Sequence, residues 1–281
     1  MAPLYKKVLI IGATSGIGEA LATKLLDGGT SVIVTGRRQE RLDAYVSKHS
    51  NSTTSPSPSA TVNSIALDIT NLSAIPSFAA SVTQAHPDLD SVILNAGIQR
   101  PFDFSRPATV DLDAFGKELL TNYTAYVHLV TALLPHLQAL GKQTQTHLVF
   151  VSASLALVPT LVRTPGYNAS KAALHSWITN LRQQLRDNGD SVRVVEVFPP
   201  AVQTELHDTR HQPDMVNGGE IGMPLPAYID AMYKGLEKGN DQFAIGHADV
   251  WLADGGFEAE RQKLFEEGQV AVKGALAKYL K

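Results

Sequence analysis

Seven short apolar runs alternate with stretches of helical periodicity along most of the chain. Val, Ile, Leu and Phe are almost continuous in several of these runs, which is typical of strands buried on both faces of a parallel sheet. Strands that alternate with helices in this way predict βαβ units. We therefore expect an α/β fold with a doubly wound, seven-stranded parallel sheet and helices on both faces. The runs occupy residues 7–11, 31–35, 62–67, 91–94, 147–151, 192–198 and 243–245.

The same pattern predicts a single domain in residues 1–246, with residues 247–281 as a helical C-terminal extension of that domain. Two segments interrupt the alternation. Residues 50–61 are rich in Ser, Thr and Pro, which predicts a flexible surface insertion. Residues 205–226 carry three prolines and three glycines, which predicts a long irregular loop of the kind that closes over a substrate.

The composition of the chain excludes several classes of function. Its 281 residues include 24 Lys and Arg against 27 Asp and Glu, a formal net charge of −3, which argues against nucleic acid or an anionic membrane as the main partner. It has no cysteine, so disulfides, zinc ribbons, iron–sulfur clusters and thiol catalysis are excluded. The uncharged stretches 119–141 and 143–162 are broken by polar residues and proline, so neither predicts a membrane span. We expect a soluble, cytoplasmic protein.

A glycine-rich turn with the spacing G-x-x-x-G-x-G joins the first predicted strand to the first predicted helix. Glycines let the backbone turn tightly and approach a pyrophosphate, whose charge then lies at the positive end of the helix. A tight turn without a ligand would show the same triplet, but its place at the first strand-to-helix junction favours a dinucleotide cofactor. The predicted contacts are Gly12, Thr14, Ser15, Gly16, Ile17 and Gly18.

The end of the second predicted strand indicates which dinucleotide is bound. An enzyme that uses NAD would carry an acidic residue there to hold the ribose 2′-hydroxyl. This chain has Gly36 followed by Arg37 and Arg38, and a guanidinium holds a 2′-phosphate through charge-assisted hydrogen bonds. We therefore expect NADP(H) as the cofactor. The alternative is that the two arginines only begin a solvated helix.

Tyr167 and Lys171 stand four residues apart and so share one face of a helix. The apolar positions that continue this face predict that it packs on the core, where a lysine is costly unless it has a function. A lysine whose amine reaches back to solvent is the alternative. The apolar positions are Leu174, Ile178, Leu181 and Leu185.

Asn122 is the one strongly polar residue of another predicted helical stripe. A buried carboxamide needs hydrogen-bond partners, which either a catalytic site or neighbouring backbone would supply. The stripe also contains Phe115, Leu119, Tyr126, Leu129 and Leu133.

Signatures of other enzyme classes are missing from the sequence. It has no G-x-S-x-G, H-E-x-x-H or P-loop motif, which excludes the standard hydrolase, metalloprotease and NTPase patterns. His207 and His211 could share a helical face, but no third ligand is apparent, so we predict no metal site.

Taken in order, these motifs resemble the short-chain dehydrogenase/reductase family in its single-domain, Rossmann-type form over roughly residues 6–246. Asp68-Ile69 matches the Asp-aliphatic pair that borders the adenine, and Leu94-Asn95-Ala96-Gly97 stands where the family has Asn-Asn-Ala-Gly. Ser154 lies thirteen residues before Tyr167, as the catalytic Ser of the family does. The resemblance implies a catalytic set of Asn122, Ser154, Tyr167 and Lys171. To the glycine turn and the arginines it adds the cofactor contacts Asp68, Ile69, Asn95, Ala96, Gly97, Tyr167, Lys171, Pro199, Val202 and Thr204.

One segment departs from the family pattern. Where the family usually has Pro-Gly after the sixth strand, this chain has Pro199-Pro200, and the second proline removes a backbone N–H near the nicotinamide side. Together with Gly222-Met223-Pro224-Leu225 and the Gly-Leu-Glu-Lys-Gly run at 235–239, the Pro-Pro form is similar to a DltE-like subgroup of the family.

The resemblance implies an NADP(H)-dependent oxidoreductase that reduces a hydrophobic ketone or aldehyde reversibly to an alcohol, as a homodimer or homotetramer. Tyr167 would be the general acid, and the charge of Lys171 would lower its pKa from about 10 toward 7. Ser154 would bind the substrate oxygen, Asn122 would hold a water of the proton relay, and the apolar residues of 155–161 would line the substrate site. An imine or enone reductase and a non-catalytic NADPH-binding regulatory protein are alternatives on the same fold. A sugar-nucleotide epimerase would need a separate substrate domain.

Overall fold

The sheet confirms the predicted architecture. A computed structural model describes residues 3–50 and 60–279, and within them one seven-stranded sheet has the order β3-β2-β1-β4-β5-β6-β7. Every pair of neighbouring strands is parallel. The predicted runs match the strands to within one residue at each end. The strands are β1 (Lys7–Ile11), β2 (Ser31–Gly36), β3 (Val62–Ala66), β4 (Ser91–Leu94), β5 (Thr146–Val151), β6 (Val192–Phe198) and β7 (Gln242–Ala244).

Helices cover both faces of the sheet, and each face has its own apolar core. Successive side chains of a strand point to opposite faces, so Leu9 and Ile11 belong to one core while Val8 and Ile10 belong to the other. The helices are α1 (Gly16–Asp27), α2 (Gln39–Ser50), α3 (Ile75–Ala85), α4 (Leu112–Leu119), α5 (Ala125–Gly141), α6 (Pro165–Asp187), α7 (Leu225–Lys238), α8 (Asp249–Leu252) and α9 (Phe257–Leu276).

The first core lies between the sheet and α3, α5 and α6, and the second between the sheet and α1, α2 and α7. The predicted apolar stripe of α6 is buried in the first core along its whole length. Burying apolar surface on both sides is what makes a parallel sheet stable.

The predicted stripe through Asn122 is wrong at its upstream end. A π-helical turn, Leu120–Thr124, separates α4 from α5, and such a turn accommodates one residue more than an α-helical turn. The extra residue rotates α4 relative to α5. As a result Leu119 is 40% exposed, while its neighbour Glu118 is completely buried.

The predicted 205–226 loop is largely irregular, as expected. It contains two short 3₁₀ turns, Glu205–His207 and Gly218–Glu220. Its last two residues belong to α7, which begins at Leu225, because a proline such as Pro226 suits the first turn of a helix. The predicted insertion at 50–61 falls mostly on residues 51–59, which lie outside the described residues.

The C-terminal helix α9 is joined to the sheet and to α6 by buried ionisable groups. His175 of α6 has Nδ1 2.8 Å from Glu196 Oε2 on β6 and Nε2 3.2 Å from Glu258 Oε1 on α9. Both carboxylates are completely buried. Within the described ranges, none of the helices has the combination of length and apolar character that crossing a membrane requires.

Candidate active site

A cleft of about 720 Å³ opens at the carboxyl ends of the central strands. The chain leaves β1 toward β2 on one side and later returns to β4 on the other. Two parallel strands whose connections diverge leave a crevice between them, and this is where open α/β sheets bind ligands. Most of the predicted site residues line this cleft.

The glycine turn brings α1 close to the end of β4. Gly12 has φ +89°, and a Cβ there would lie 2.6 Å from Cα of Ala96. A Cβ on Gly18 would lie 2.1 Å from the carbonyl oxygen of Gly12, which also accepts a 2.8 Å hydrogen bond from Asn95 Nδ2. Gly16 and Ile17, in the first turn of α1, line the cleft. Because the first amides of a helix have no partner within it, this end fits the pyrophosphate of a dinucleotide.

The two arginines after β2 differ in their surroundings. Arg38 is half-buried and donates from Nε to Thr14 Oγ1 (3.1 Å) and from Nη2 to Ser15 Oγ (2.7 Å). Arg37 is exposed on the rim of the cleft. Both therefore face the cleft. The alternative that they only begin a solvated helix does not account for Arg38, which precedes α2 and bonds to the glycine turn.

The other predicted cofactor contacts lie around the same cleft. Burial opposes the ionisation of Asp68, but hydrogen bonds from Thr70 and the charge of Arg37 outweigh it and lower the pKa of this carboxyl. The carbonyl of Pro199 accepts a 2.9 Å hydrogen bond from Ser154 N, which fixes the turn after β5. The residues that line the cleft include Asp68, Ile69, Asn95, Ala96, Gly97, Pro199, Val202 and Thr204.

Tyr167 and Lys171 share the core-facing side of α6, as predicted. Tyr167 is 7% exposed and Lys171 is 2% exposed. Lys171 Nζ donates to the carbonyl of Val151 (2.9 Å) and lies 5.6 Å from the centre of the Tyr167 ring. The alternative of a lysine that reaches solvent is therefore wrong.

The expected lowering of the Tyr167 pKa by Lys171 is not seen in the protein by itself. Burial raises the pKa of Tyr167 well above its ordinary value, and the charge of Glu118 acts in the same direction. Burial also lowers the pKa of Lys171 to about 8, although the charge of Glu196 opposes this shift. In low dielectric the neutral form of each group is favoured. Tyr167 is therefore a neutral phenol that can donate a proton.

Ser154 lies in a short 3₁₀ turn, Ser154–Ala156, that follows β5. It is 6% exposed and lines the cleft together with Tyr167. Of the apolar run predicted to line the substrate site, Leu155 and Leu161 face the cleft. Ala156 and Leu157 instead pack against Phe198 in a small separate cluster.

Asn122 lies in the π-helical turn behind the cleft wall. Its Oδ1 accepts from Ile98 N (2.9 Å), and its Nδ2 donates to Ile98 O (2.9 Å) and to Ser170 Oγ (3.1 Å). The carboxamide thus bonds to backbone just beyond β4. Of the two kinds of partner that the sequence left open for Asn122, neighbouring backbone is the one observed. Asn122, Lys171 and Gly18 are the three predicted site residues that do not line the cleft itself.

Comparison with known proteins places the chain in a family. A family model described as short chain dehydrogenase matches residues 6–214, well over half of the chain. The chain belongs to the short-chain dehydrogenase family. It is therefore an oxidoreductase, as predicted.

Relatives of this short-chain dehydrogenase match over most of their length. The uncharacterized oxidoreductase DltE of Bacillus subtilis (strain 168) is 33% identical over 260 residues, 92% of this chain and 95% of that protein. The NADP-dependent 3-hydroxy acid dehydrogenase YdfG of Salmonella typhi is 28% identical over 214 residues, 76% and 79% of the two chains. A short chain dehydrogenase from Burkholderia cenocepacia J2315, solved in complex with NADP, superposes with a TM-score of 0.69 at 25% identity and covers 95% of this chain and 98% of that one.

Two carboxylates of the dehydrogenase's cleft region were missed by sequence reasoning. Glu205, on the loop after β6, binds Arg38 and Arg41. Glu118, on α4, accepts a 3.3 Å hydrogen bond from Arg100 N, and burial raises its pKa to about 8. Neither residue belongs to a periodic motif, and Glu205 meets its partners across more than 160 residues of sequence. A sequence pattern gives no signal of such contacts.

The histidines of the 205–226 loop have partners in the protein. His211 Nδ1 lies 2.7 Å from Asp208 Oδ1, and buried His207 lies 3.3 Å from Gln212 Nε2. Among residues 3–50 and 60–279, no three His, Cys, Asp or Glu side chains form a group that could hold a metal ion.

Proposed function

We propose that this short-chain dehydrogenase is an NADP(H)-dependent carbonyl reductase that also runs in reverse as an alcohol dehydrogenase. The observation that carries the proposal is that one cleft is lined by the glycine turn, by Arg37 and Arg38, and by Ser154 and Tyr167. Cofactor-binding and proton-donating groups thus face a common space. YdfG, named an NADP-dependent dehydrogenase, and the NADP complex of the Burkholderia protein support this choice of cofactor.

The proposed chemistry divides between the cofactor and the chain. Bound NADPH supplies a hydride to the carbonyl carbon. Tyr167, kept as a neutral phenol by its burial, donates a proton to the carbonyl oxygen, and the Ser154 hydroxyl orients that oxygen by hydrogen bonding. Lys171 lies one helical turn from Tyr167 and close to its ring, so its ammonium favours the phenolate left after proton transfer. Asn122 bonds to both backbone groups of Ile98 and so fixes the segment after β4, which forms part of the cleft wall.

The cleft wall supports a substrate with an apolar part. Leu155, Leu161 and Leu206 contribute apolar surface, and the 205–226 loop adds His207 and Arg210. The wall is therefore more polar than the sequence predicted, because the loop after β6 brings polar side chains to the same space. A ketone or aldehyde is the proposed substrate class.

Turnover of a carbonyl panel tests the proposed function. Purified protein is incubated with NADPH and aryl ketones, aliphatic ketones and aldehydes, and oxidation of NADPH is followed by absorbance at its nicotinamide band. We expect turnover of at least one panel member. If NADPH binds but nothing in the panel, imines and enones included, is turned over, the non-catalytic binding protein becomes the better hypothesis.

The Arg37→Ala variant tests the proposed cofactor. A charged hydrogen bond from this guanidinium to the 2′-phosphate contributes about 1.5–3 kcal/mol, so we expect the Kd for NADPH to rise roughly 10- to 150-fold while that for NADH stays within twofold. Titration calorimetry measures both constants. Arg106→Ala, which removes an exposed arginine paired with Asp103, is the matched control. Equal weakening of both cofactors by Arg37→Ala would contradict the assignment.

Changing the cofactor preference requires more than a carboxylate at the end of β2. A Cβ on Gly36 would lie 2.5 Å from Thr14 Cγ2, so Gly36→Asp displaces the threonine that accepts from Arg38. Overpacking of this kind costs about 1–3 kcal/mol. We expect Gly36→Asp with Arg37→Ile to lose activity with NADPH without gaining activity with NADH. The further change Thr14→Ala should make room for the new carboxylate and allow the enzyme to use NADH. The ratio of kcat/KM for the two cofactors is the measurement, and a gain of NADH use without Thr14→Ala would contradict it.

Several expectations stay predictions. They are the cytoplasmic location, the homodimeric or homotetrameric state, and the assignment of residues 1–246 and 247–281 to one catalytic domain and its extension. Light scattering coupled to gel filtration measures the oligomeric state.

A further inference from the structure

Glu205 reaches across the cleft from the loop after β6 to the start of α2. Its two oxygens bind different arginines: Oε2 lies 2.9 Å from Arg38 Nη1, and Oε1 lies 2.5 Å from Arg41 Nη1. The side chains of Glu205 and Arg38 are 34% and 26% exposed, so the pair lies on the edge of the cleft. Burial opposes the ionisation of Glu205, but its bonds to the two arginines outweigh this effect and lower its pKa to about 2. The carboxylate is therefore charged at neutral pH.

The same arginine belongs to the proposed 2′-phosphate site. Each of the three nitrogens of the Arg38 guanidinium already donates to an acceptor in the protein: Nε to Thr14, Nη2 to Thr14 and Ser15, and Nη1 to Glu205. The bonds to Thr14 and Ser15 join Arg38 to the glycine turn. Of the bonds that Arg38 makes, only the one to Glu205 comes from a different part of the chain, and it engages the guanidinium nitrogen that makes no bond to the glycine turn.

The local charge supports competition between two anions. The start of α2 presents three positive groups, Arg37, Arg38 and Arg41, and Glu205 supplies one negative charge to two of them. A 2′-phosphate carries close to two negative charges near pH 7 and three acceptor oxygens, and it binds guanidinium groups in the same forked geometry as a carboxylate. A phosphate at this point and the Glu205 carboxylate would share donors and repel each other.

Glu205 also belongs to the loop expected to cover the substrate. It begins the 3₁₀ turn Glu205–His207, directly after Thr204, whose hydroxyl accepts from Leu206 N. Farther along, Gln212 Nε2 donates to Gln99 Oε1 (2.8 Å), and Arg163 binds Gln212 and Asp214. Polar side-chain contacts thus hold this part of the 205–226 loop against the rest of the protein. The ion pair of Glu205 is the one nearest the proposed phosphate site.

We propose that Glu205 is an internal competitor for the 2′-phosphate site, a specificity-determining residue whose carboxylate is displaced from Arg38 by NADP(H) but not by NAD(H). This inference rests on the proposed function and deepens it. It has two consequences. The displacement reduces the affinity for 2′-phosphorylated ligands, and it frees the first residues of the 205–226 loop when such a ligand binds. The 2′-phosphate would thus be coupled to the loop over the substrate site.

Two small ligands isolate the 2′-phosphate. Adenosine 2′,5′-bisphosphate and AMP differ by this group alone, and titration calorimetry gives a Kd for each without turnover. In Glu205→Gln, which keeps the size of the side chain and removes its charge, we expect the bisphosphate to bind roughly tenfold tighter than to wild type, a value at the low end for a charged hydrogen bond because the pair is partly exposed. AMP should change by less than twofold. NADPH and NADH should follow the same pattern.

The matched control is Glu220→Gln. It removes the same charge from the same loop at an exposed residue, and we expect it to leave all four Kd values within twofold of wild type. Hydrogen exchange supplies a second readout. In wild type, the bisphosphate should speed exchange at the amides of residues 205–208, and AMP should not. In Glu205→Gln, these amides should exchange faster before any ligand is added.

The outcomes separate this inference from the proposed function. If wild type binds the bisphosphate no tighter than AMP, the proposed preference for NADP(H) is wrong, and the inference fails with it. If wild type prefers the bisphosphate but Glu205→Gln binds it equally or more weakly, the preference stands and the inference is overturned. Weaker binding would assign Glu205 to holding the arginines in place. A gain in Glu205→Gln that is equal for AMP and the bisphosphate would also overturn it, because the carboxylate would then restrict general access to the cleft.

Discussion

Replacing Tyr167 by Phe should lower kcat for carbonyl reduction at least a hundredfold. The change removes the hydroxyl and keeps the ring, which is 7% exposed and close to Lys171. Proton transfer by a positioned side chain typically contributes about 10²–10⁴-fold to a rate. The Kd for NADPH should stay within a few-fold of wild type, since the glycine turn and the arginines are untouched. Steady-state kinetics and calorimetry measure the two quantities.

The control for this variant is Tyr45→Phe. Tyr45 is also buried, at 5% exposure, but it lies on α2, where its hydroxyl is 3.3 Å from Thr23 Oγ1. Its loss should leave kcat unchanged. A Tyr167→Phe enzyme that keeps more than a tenth of the wild-type kcat would show that another group donates the proton.

Replacing Glu258 by Gln should destabilise the protein more at pH 6 than at pH 9.5, where its bonds to Arg261 are still lost. Burial alone would lower the pKa of His175, but the bonds and charges of Glu196 and Glu258 outweigh it and raise the pKa to about 9. Arg182 and Arg261 lie near the same carboxylates, and Arg261 Nη2 also contacts His175 Nε2. Removing one partner of a buried ion pair costs about 3–5 kcal/mol.

The sign of the pH dependence follows from the direction of each shift. Because the pKa of His175 is raised, its stabilisation is complete below its ordinary value of 6.5 and is lost as pH rises through about 9. Hydrogen bonds from His175 and Arg261 outweigh burial and lower the pKa of Glu258 to about 2, so its stabilisation is complete above 4.5 and is lost as pH falls toward 2. The contribution of the pair is therefore greatest between about pH 4.5 and 6.5.

Urea unfolding at both pH values and at one protein concentration measures this difference. Glu267→Gln, which changes an exposed residue of the same helix, is the control and should have little effect at either pH. A loss in Glu258→Gln that is the same at pH 6 and pH 9.5 would mean that Glu258 acts through Arg261 and not through His175.

The local patterns of the sequence predicted the sheet well. Each strand is a short apolar run whose side chains meet both cores, so its composition carries the signal of its position. The glycine turn was also predictable, because residues such as Gly12 and Gly18 are required by a close approach of backbone to backbone. For Tyr167 and Lys171, helical spacing and the apolar stripe of α6 indicated a buried pair.

Features that depend on distant contacts could not be predicted. The ion pairs of Glu205 join segments more than 160 residues apart in sequence, and no local sequence pattern predicts such a contact. The raised pKa of Tyr167 in the protein by itself could not be predicted, because spacing shows that Lys171 is near but not how deeply the phenol is buried. Leu119 was placed on the wrong face, because the prediction assumed an unbroken 3.6-residue period.

The π-helical turn at residues 120–124 lets the continuous helical segment from α4 to α5 pack against two different helices. Upstream of it, α4 lies against α6, where Glu118 approaches Gly166 just before Tyr167. Downstream, α5 lies against α3 and sends Tyr126 and Leu129 into the core beneath the sheet. A regular α-helix keeps a single angular phase and could not present both faces in these directions. The surplus residue supplies the phase shift, and it places Asn122 at the point where the two faces change over.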